Sequence, residues 1–559
     1  MFPSARPLRS AVRGTLMLAT ALGMTLLAGH FQIAAYVWIF AALYAIIRLL
    51  GLAVARDRQR TRRLLAAAGV AVALAAMLAM TQLLPTLELG GLSARGAGKP
   101  SAAGFEFHRQ RAVQPMELLG LLQADFLGTP VDGSYKGISY SEHCPYVGAT
   151  TLLLGLVGLA VGRRRKHLWL FFGLAVFALW GAMAGPPAML LYWGVPKLGQ
   201  AGGFSRLLSV WTLAAALWGG AGLQALLDRL TASSGPTVGR GLVPRRPLSA
   251  TPEDGAVQAR APQKTTAVPM AVALLALFLL AAEMLPWAYR FNPRAAAATV
   301  YPETEAIRKL RELTGSDRYV AVNNRRKWGL ADVPAGVVLP PNAATVYGIR
   351  CVDGYDSLFP AAYRQAAAFM EKTDPSPLAN GNMLLPSDPA PWALVGAKAV
   401  VGADEQAPHP VSWHGDGVSI RVNDGQSPPF VRAWCNRATS PQGPFYRATL
   451  LQDGLNAVVL DPNPPAVPPY VGPVERASVA LLEDSPYPGW HAYSGAPATE
   501  VPIYQNLKLN GRSAAVSSET HHLSFVYYPA SVACGLFVTL LALAALTALG
   551  TSALRRHRA

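Results

Sequence analysis

Eight runs of mainly apolar residues alternate along the chain with short basic or polar segments. A helix that crosses the hydrocarbon core of a bilayer needs about 20 such residues. Each run approaches that length and therefore predicts a transmembrane helix, with tilt or extension into the interface for the shorter runs. The runs lie at residues 14–29, 32–54, 64–84, 146–162, 168–184, 207–227, 267–287 and 527–550.

The first run follows Arg6, Arg9 and Arg13, which is also the pattern of a signal peptide. A second apolar run begins almost at once. This closeness favours a helical hairpin that turns at Gly29-His30 over a cleaved signal.

Between residues 288 and 526 the pattern changes to short β-like runs among Pro, Asn, Asp and aromatic residues. Two helices and several strands are predicted there, and residues 477–528 alternate apolar and polar positions as hairpins do. The pattern predicts an α/β portion followed by a small β-sandwich-like portion. The predicted helices are Pro302–Leu313 and Ala361–Glu371, and the predicted strands include Arg318–Val322, Ala397–Val401, Val418–Val422 and Ala457–Leu460.

The composition indicates a membrane protein. Of the 559 residues, 52% are hydrophobic and only 14% are charged, whereas soluble domains carry about 25% charged residues. A soluble fold of this length would need more charge to cover its surface. The lipid bilayer is therefore an expected partner.

The net charge is +17 at pH 7, and the basic residues cluster between the apolar runs. Cytoplasmic loops carry the excess of Lys and Arg, so these clusters predict cytoplasmic segments and two cytoplasmic termini. No basic run is interleaved with aromatic residues, which argues against nucleic acid as a partner. The clusters lie at 6–13, 56–63, 163–166, 229–264 and 555–558.

The predicted fold class is an α-helical polytopic membrane protein, with about eight transmembrane helices and an extracytoplasmic α/β plus β-sandwich-like domain. Residues 1–287 form the predicted membrane domain, with seven helices, external loops at 85–145 and 185–206, and a cytoplasmic linker at 228–266. The predicted outer domain spans 288–526. Residues 527–559 hold the final helix and a basic cytoplasmic tail.

The four cysteines form no CxxC pair, so neither a zinc site nor a thioredoxin-like site is expected. Cys351 and Cys435 both lie in the predicted outer domain. They either form a disulfide or serve as small apolar residues, and the sequence leaves both readings open.

A series of short motifs runs through nearly the whole chain in a fixed order. With these motifs the chain resembles the YfhO-type bacterial membrane proteins of the GT-C glycosyltransferase superfamily. The motifs are Gly29-His30-Phe31-Gln32, the segment from Gln82 to Glu88, Asp125-Phe126-Leu127-Gly128, Phe204-Ser205-Arg206, the segment from Val352 to Leu358, Tyr487-Pro488-Gly489-Trp490 and Tyr527-Tyr528-Pro529.

The resemblance implies transfer of a sugar from a polyprenyl-phosphate donor to a cell-envelope glycan, at the outer face of the bacterial cytoplasmic (inner) membrane. GT-C enzymes generally place a catalytic acid in the first external loop, yet the turn at His30 holds no Asp or Glu. The resemblance starts inside the family pattern, so this chain is expected to lack the N-terminal catalytic part.

Two other functions stay open. A non-catalytic membrane scaffold, or glycan-binding partner of a glycosylation system, agrees with the missing acidic loop. A transporter of lipid-linked sugars would show internal repeats and polar helices at mid-membrane, and the sequence has no clear repeat.

Inverting glycosyl transfer needs a carboxylate base, and cations or a divalent metal ion to stabilise the departing phosphate. Glu88 and Asp125 are the candidates for the catalytic base. Glu88 is alternatively a water-exposed carboxylate at a helix end, and Asp125 is alternatively a turn cap before Gly128.

The candidates for substrate binding are His30, Gln32, Glu117 and Arg206. His30 and Gln32 lie at the predicted hairpin, where interfacial exposure also explains them. Arg206 opens a helix on the predicted outer side, where a cation suits a phosphate or a sugar. Trp490 either stacks on a sugar ring or anchors a small β-domain.

Overall fold

The structure is a computed structural model. It describes residues 5–93, 100–162, 164–195, 198, 202–233, 267–292, 294, 296–321, 339, 342–352, 354, 356, 358–372, 390–403, 411–416, 418–422, 433–436, 445–462, 478–482, 484–506, 510–517 and 519–555. Most of the predicted linker, Val322 and three residues of the 352–358 motif lie outside these ranges.

The apolar runs form helices. In chain order, the helices are α1 (Ala5–Leu27), α2 (Phe31–Val54), α3 (Arg58–Leu78), α4 (Met80–Leu92), α5 (Ala102–Arg109), α6 (Tyr140–His143), α7 (Ala149–Val161), α8 (Lys166–Ala182), α9 (Pro186–Gly194), α10 (Leu208–Ser233), α11 (Ala267–Phe291), α12 (Ala297–Val300), α13 (Glu305–Thr314), α14 (Ala361–Glu371) and α15 (Ala530–Arg555).

Five helical segments of the described chain are long and apolar enough to cross a membrane. The bent pair α8 and α9, which meet at 75°, would make a sixth as one broken span. Two of the predicted runs form shorter apolar helices, at Ala11–Leu27 and Ala149–Val161. The five long segments are Phe31–Val54, Arg58–Leu78, Phe204–Ala232, Ala267–Phe291 and Ala530–Thr551.

Capping residues move several helix boundaries away from the predicted ones. Asp57 accepts a hydrogen bond from the Arg60 N–H at 3.0 Å, so α3 begins ahead of its apolar run. Beyond the break at Ala79, α4 continues through Pro85, into the segment predicted as the external loop 85–145. The predicted loop 185–206 likewise contains α9. These boundaries differ because caps and prolines act locally, whereas hydropathy is averaged over many residues.

The chain divides into two compact units. The first contains residues 1–104 and 295–559, and the second contains residues 105–294. In the first unit, α15 packs closely on α3 and α4. The Thr539 hydroxyl accepts a hydrogen bond from the Thr81 N–H at 3.0 Å, and a Cβ at Gly535 would lie 2.5 Å from the Met80 carbonyl oxygen.

In the second unit, α7 and α10 approach each other through glycines. A Cβ at Gly158 would lie 2.3 Å from the Gly222 Cα atom, and a Cβ at Gly222 would lie 2.1 Å from the Leu154 carbonyl oxygen. Small residues allow this backbone approach between helices. Trp218 of α10 is buried against Gly155 of α7.

Fifteen strands follow in the described part of the first unit. They are β1 (Arg318–Ala321), β2 (Arg350–Cys351), β3 (Ala397–Ala403), β4 (Trp413–Gly415), β5 (Val418–Val422), β6 (Ala433–Asn436), β7 (Phe445–Arg447), β8 (Thr449–Asp453), β9 (Ala457–Asp461), β10 (Ser478–Leu482), β11 (Trp490–Ser494), β12 (Thr499–Val501), β13 (Ile503–Asn506), β14 (Gly511–Val516) and β15 (Leu523–Tyr527).

The first five strands form one mixed sheet in the order β2-β1-β3-β5-β4. Its side chains alternate between two cores, because successive residues of a strand face opposite sides. Tyr319 packs with Leu310 of α13, whereas Val320 packs with Met370 of α14. The sheet is therefore covered by one helix on each face, which confirms the predicted α/β portion.

The remaining ten strands form two antiparallel sheets, β13-β14-β10-β6-β7 and β12-β11-β15-β9-β8. One apolar core takes residues from both sheets, including Leu482 of the first and Phe525 of the second. These sheets form the predicted β-sandwich. Which side of a membrane this sheet-rich region faces stays a prediction, as do the domain boundaries.

The predicted strands and helices of this region are present, with small shifts. The helix predicted at Pro302–Leu313 begins at Glu305 because the Thr304 hydroxyl caps it, accepting from the Ile307 N–H at 3.3 Å. Cys351 lies in β2 and Cys435 in β6, in different sheets, and neither forms a disulfide.

Candidate functional site

Glu117 and His143 form a buried pair in the second unit. Nδ1 of His143 lies 2.9 Å and 3.0 Å from the two carboxylate oxygens of Glu117. The side chains are only 5% and 2% exposed. Two further donors reach the same carboxylate: the Gln114 N–H at 2.7 Å and the Tyr135 hydroxyl at 3.1 Å.

Local sequence explains how Glu117 comes to lie here. Pro115 opens a 3-10 turn over Pro115–Leu121, and Glu117 is its third residue, whose carboxylate reaches back to the Gln114 N–H in a capping box. Gly137 passes close by, since a Cβ there would lie 2.8 Å from a Glu117 carboxylate oxygen.

Hydrogen bonding decides the charge of Glu117. Burial by itself raises the pKa of the carboxyl group, but the bonds from His143, the Gln114 N–H and Tyr135 outweigh it, and the net pKa is lowered. Burial, with Glu117 beside it, raises the pKa of Tyr135. The carboxylate is ionised and fully engaged, so it holds this loop together and is poorly placed to contact a substrate at an interface.

Asp125 is held by two aromatic donors. Its carboxylate accepts a short hydrogen bond from the Tyr140 hydroxyl, and Nε1 of Trp287 lies 3.3 Å away. Its backbone carbonyl accepts from the Gly128 N–H at 2.9 Å. Asp125 therefore does take part in the turn, through its carbonyl oxygen, while its side chain anchors Tyr140 and Trp287.

The other three residues predicted to bind substrate form contacts within the protein. Arg206 forms an ion pair with Glu142 at 2.8 Å. His30 caps α2, with Nδ1 accepting from the Ile33 N–H at 3.4 Å. Gln32 is 3% exposed and donates to the Tyr36 hydroxyl at 2.9 Å, so it is a buried residue rather than an interfacial one.

Glu88 lies near the end of α4 in the first unit. One of its carboxylate oxygens is buried and, within the described chain, has no hydrogen-bond partner. The Tyr487 hydroxyl lies close to the Glu88 carboxylate. Burial, with the nearby Glu88 and Tyr527, raises the pKa of Tyr487 to about 12. Glu88 is thus partly buried, and it lies beside a tyrosine that lines a cavity.

This cavity has a volume of about 390 Å³ and lies in the first unit. Small-molecule sites typically have volumes of about 300–1,000 Å³, with apolar walls and a few polar groups. Three aromatic side chains line it, together with arginine, aspartate, serine and asparagine. The lining includes Tyr487, Trp490, Tyr527, Arg512, Asp484 and Arg350.

Asp484 organises the polar wall of the cavity. It accepts from Arg318 at 2.7 Å and from Arg512 at 3.3 Å. The guanidinium carbon of Arg512 lies 3.5 Å from the centre of the Trp490 ring, and Arg512 is only 1% exposed. The Arg512 guanidinium group restricts the motion of the Trp490 indole ring by stacking on it. Its positive charge also offsets the negative charge of Asp484.

Ion pairs tie the α/β portion to the sandwich around the cavity. Besides Arg318 with Asp484, Arg350 of β2 pairs with Asp453 of β8 at 2.8 Å. Both arginines that line the cavity are therefore paired with carboxylates. The cavity thus combines aromatic side chains with polar groups whose charges are paired.

Sequence reasoning found part of this arrangement. Trp490 packs on the sandwich core, as the anchor role predicts, and it also borders the cavity. Its stacking on a sugar ring stays a prediction. Arg512 and Asp484 were missed. An available signal was the Arg in the otherwise small and apolar strand Gly511–Val516.

Among the described residues, no group of three or more His, Cys, Asp or Glu is placed to hold a metal ion. No protein-family model, curated protein or solved structure matches the chain. The family resemblance consequently remains a hypothesis.

Proposed function

We propose that this chain is a multi-pass membrane protein whose sheet-rich region binds a cell-envelope glycan outside the cytoplasmic membrane. In this role it serves a glycosylation system as a glycan-binding partner. The observation that carries the proposal is the cavity with Tyr487, Trp490 and Tyr527, since aromatic faces beside paired polar groups are suited to sugar rings.

The state of Glu117 favours binding over catalysis in the loop that contains it. A general base must lie within reach of the acceptor hydroxyl with a lone pair available. Glu117 already accepts from His143, Gln114 and Tyr135, and Asp125 accepts from Tyr140 and Trp287. Both oxygens of Glu117 are engaged, so Glu117 is not a supported base. Asp125 accepts both of its bonds through Oδ1, which leaves the lone pairs of Oδ2 outside them.

Calorimetric titration of the full-length protein in nanodiscs with neutral and uronic-acid oligosaccharides tests the proposal. We expect binding of at least one oligosaccharide. Trp490→Ala should weaken it at least tenfold, or by about 1.4 kcal/mol. Tyr504→Ala is the matched control, because Tyr504 is an exposed aromatic residue of the same sandwich outside the cavity lining. Equal affinities of the two variants would refute the cavity as the glycan site.

A second candidate is the glycosyltransferase itself, or its C-terminal part, using a polyprenyl-phosphate-sugar donor. The observation that favours it is the buried carboxylate oxygen of Glu88 beside Tyr487, within a motif of the resemblance. Membranes that contain the protein would then transfer sugar from such a donor, and Glu88→Gln would abolish transfer. Oligosaccharide binding without any transfer would favour the binding function.

A further inference from the structure

The register of the sandwich places one hairpin tip beside the entrance to the last apolar helix. Strand β9 pairs with β15 so that Ala457 lies opposite Val526. The Tyr527 N–H donates to the Asn456 carbonyl at 2.8 Å, and α15 begins at Ala530. The tip between β8 and β9 therefore lies at the end of the sandwich from which α15 leaves.

The loop before β11 and helix α4 meet at the same end. The Gly489 carbonyl accepts from the Tyr528 N–H at 2.6 Å, and a Cβ at Gly489 would lie 2.8 Å from the Pro529 Cα atom. Glu88 of α4 meets Tyr487 there. The C-terminal end of α4 and the N-terminal end of α15 thus lie at the same end of the sandwich as the tip.

The tip carries a leucine where turn chemistry does not require one. The turn runs Asp453-Gly454-Leu455-Asn456, and Leu455 is 92% exposed. Tyr528, between the sandwich and α15, is 74% exposed. Scattered exposed apolar residues are ordinary on any protein. Here, however, a leucine and a tyrosine project from the end of the sandwich that joins an apolar helix.

We infer that the β8–β9 tip, through Leu455, enters the lipid–water interface of the membrane that α15 crosses. Tyrosine is enriched at this depth because its ring suits the headgroup region, and Tyr528 fits the same level. The contact adds an attachment of the sandwich to the bilayer besides the covalent link to α15. It also places the mouth of the cavity, which Leu455 borders, at the membrane surface.

This inference rests on the membrane insertion proposed above and is independent of glycan binding. It can be tested with the full-length protein in phosphatidylcholine–phosphatidylglycerol vesicles that contain lipid nitroxides near the headgroup. In a background with Cys144→Ser and Cys351→Ser, the exposed native Cys534 of α15 takes an environment-sensitive fluorophore and reports insertion. Leu455→Cys and Tyr528→Cys are labelled separately, with Cys534→Ala added. Tyr504→Cys, on the edge strand β13, is the control.

We expect blue-shifted, nitroxide-quenched emission from Cys534, from position 455 and from position 528, and unquenched emission from position 504. Quenching at 534 with none at 455 would overturn the inference while leaving membrane insertion intact. The same outcome with a blue shift at 455 would indicate a protein partner instead of lipid. An absence of quenching at 534 would refute membrane insertion itself. Asn456→Cys, at the next exposed position of the same tip, is labelled in the same way and keeps the test decisive if the Leu455 variant does not fold.

Discussion

At the residue scale, Glu117 was predicted as a candidate for substrate binding, and in the structure it is hydrogen-bonded to the buried His143. His143 supplies a donor from 26 residues further along the chain, and the capping box fixes the other side of the carboxylate. A buried pair is costly to break, because the remaining partner keeps its charge or its polar atoms without compensation. The pair therefore has measurable consequences for stability and for its pH dependence.

We predict that Glu117→Gln destabilises the protein by about 1–3 kcal/mol at pH 7, the range for leaving a buried polar group without its charged hydrogen-bond partner. The native pKa of Glu117 is lowered, so its carboxylate contributes stability above its unfolded pKa. That contribution is lost as the pH falls through the native pKa, and the difference from wild type should shrink below about pH 4.

Thermal unfolding of wild type and Glu117→Gln in detergent, from pH 7 to below about pH 4, measures this difference in stability. Glu106→Gln is the control, because Glu106 forms an exposed ion pair with Arg109 and should change stability little. A difference between Glu117→Gln and wild type that grows on acidification would contradict the prediction.

A second prediction at this scale concerns Arg512. Lysine cannot reproduce the planar stacking on Trp490 together with the bond to Asp484. Arg512→Lys should therefore lower the free energy of unfolding by about 1–3 kcal/mol and weaken glycan binding. Arg447→Lys is the control, since Arg447 is half-exposed. Chemical denaturation of both variants provides the comparison, and equal losses would argue against a special role for Arg512.

At the element scale, packing of the helices depends on where glycines meet. Gly158 and Gly220 are both helix glycines, but a Cβ meets the Gly222 backbone at the first and nothing within 4 Å at the second. We predict that Gly158→Ala separates α7 from α10 and lowers the melting temperature. Gly220→Ala should be neutral or stabilising, by up to about 1 kcal/mol of helix propensity.

Scanning calorimetry of both alanine variants in detergent gives the answer. The same substitution is made in the same kind of element, so propensity cancels and the close approach of the two helices is isolated. A Gly158→Ala variant as stable as Gly220→Ala would show that the two helices are not in this contact.

At the scale of the whole molecule, the topology is the testable property. We predict eight spans with both termini in the cytoplasm, from the position of the basic clusters. Alkaline phosphatase fused after Gly133 or Tyr528 should be active, and green fluorescent protein fused after Gly235 or Ala559 should fluoresce. Phosphatase activity after Gly235 would invert the predicted orientation.

Local sequence patterns predicted the apolar helices and several of the strands. All eight apolar runs are helical, although only five long segments qualify as spans by length and composition. The strand at Val418–Val422 and the helix at Ala361–Glu371 have the predicted bounds. The physical reason is that the length of an apolar run, helix capping and the alternation of apolar and polar residues depend only on residues that are close together in the sequence.

The pairing of the polar groups depends on the tertiary structure. His143 pairs with Glu117, Trp287 reaches Asp125 from 162 residues away, and Asp484 joins Arg318 to Arg512. A carboxylate in a sequence looks the same whether it is a free base or a saturated acceptor. The difference depends on burial and on donors brought from distant elements, so pattern alone nominated Glu117 and Asp125 and overlooked the wall of the cavity.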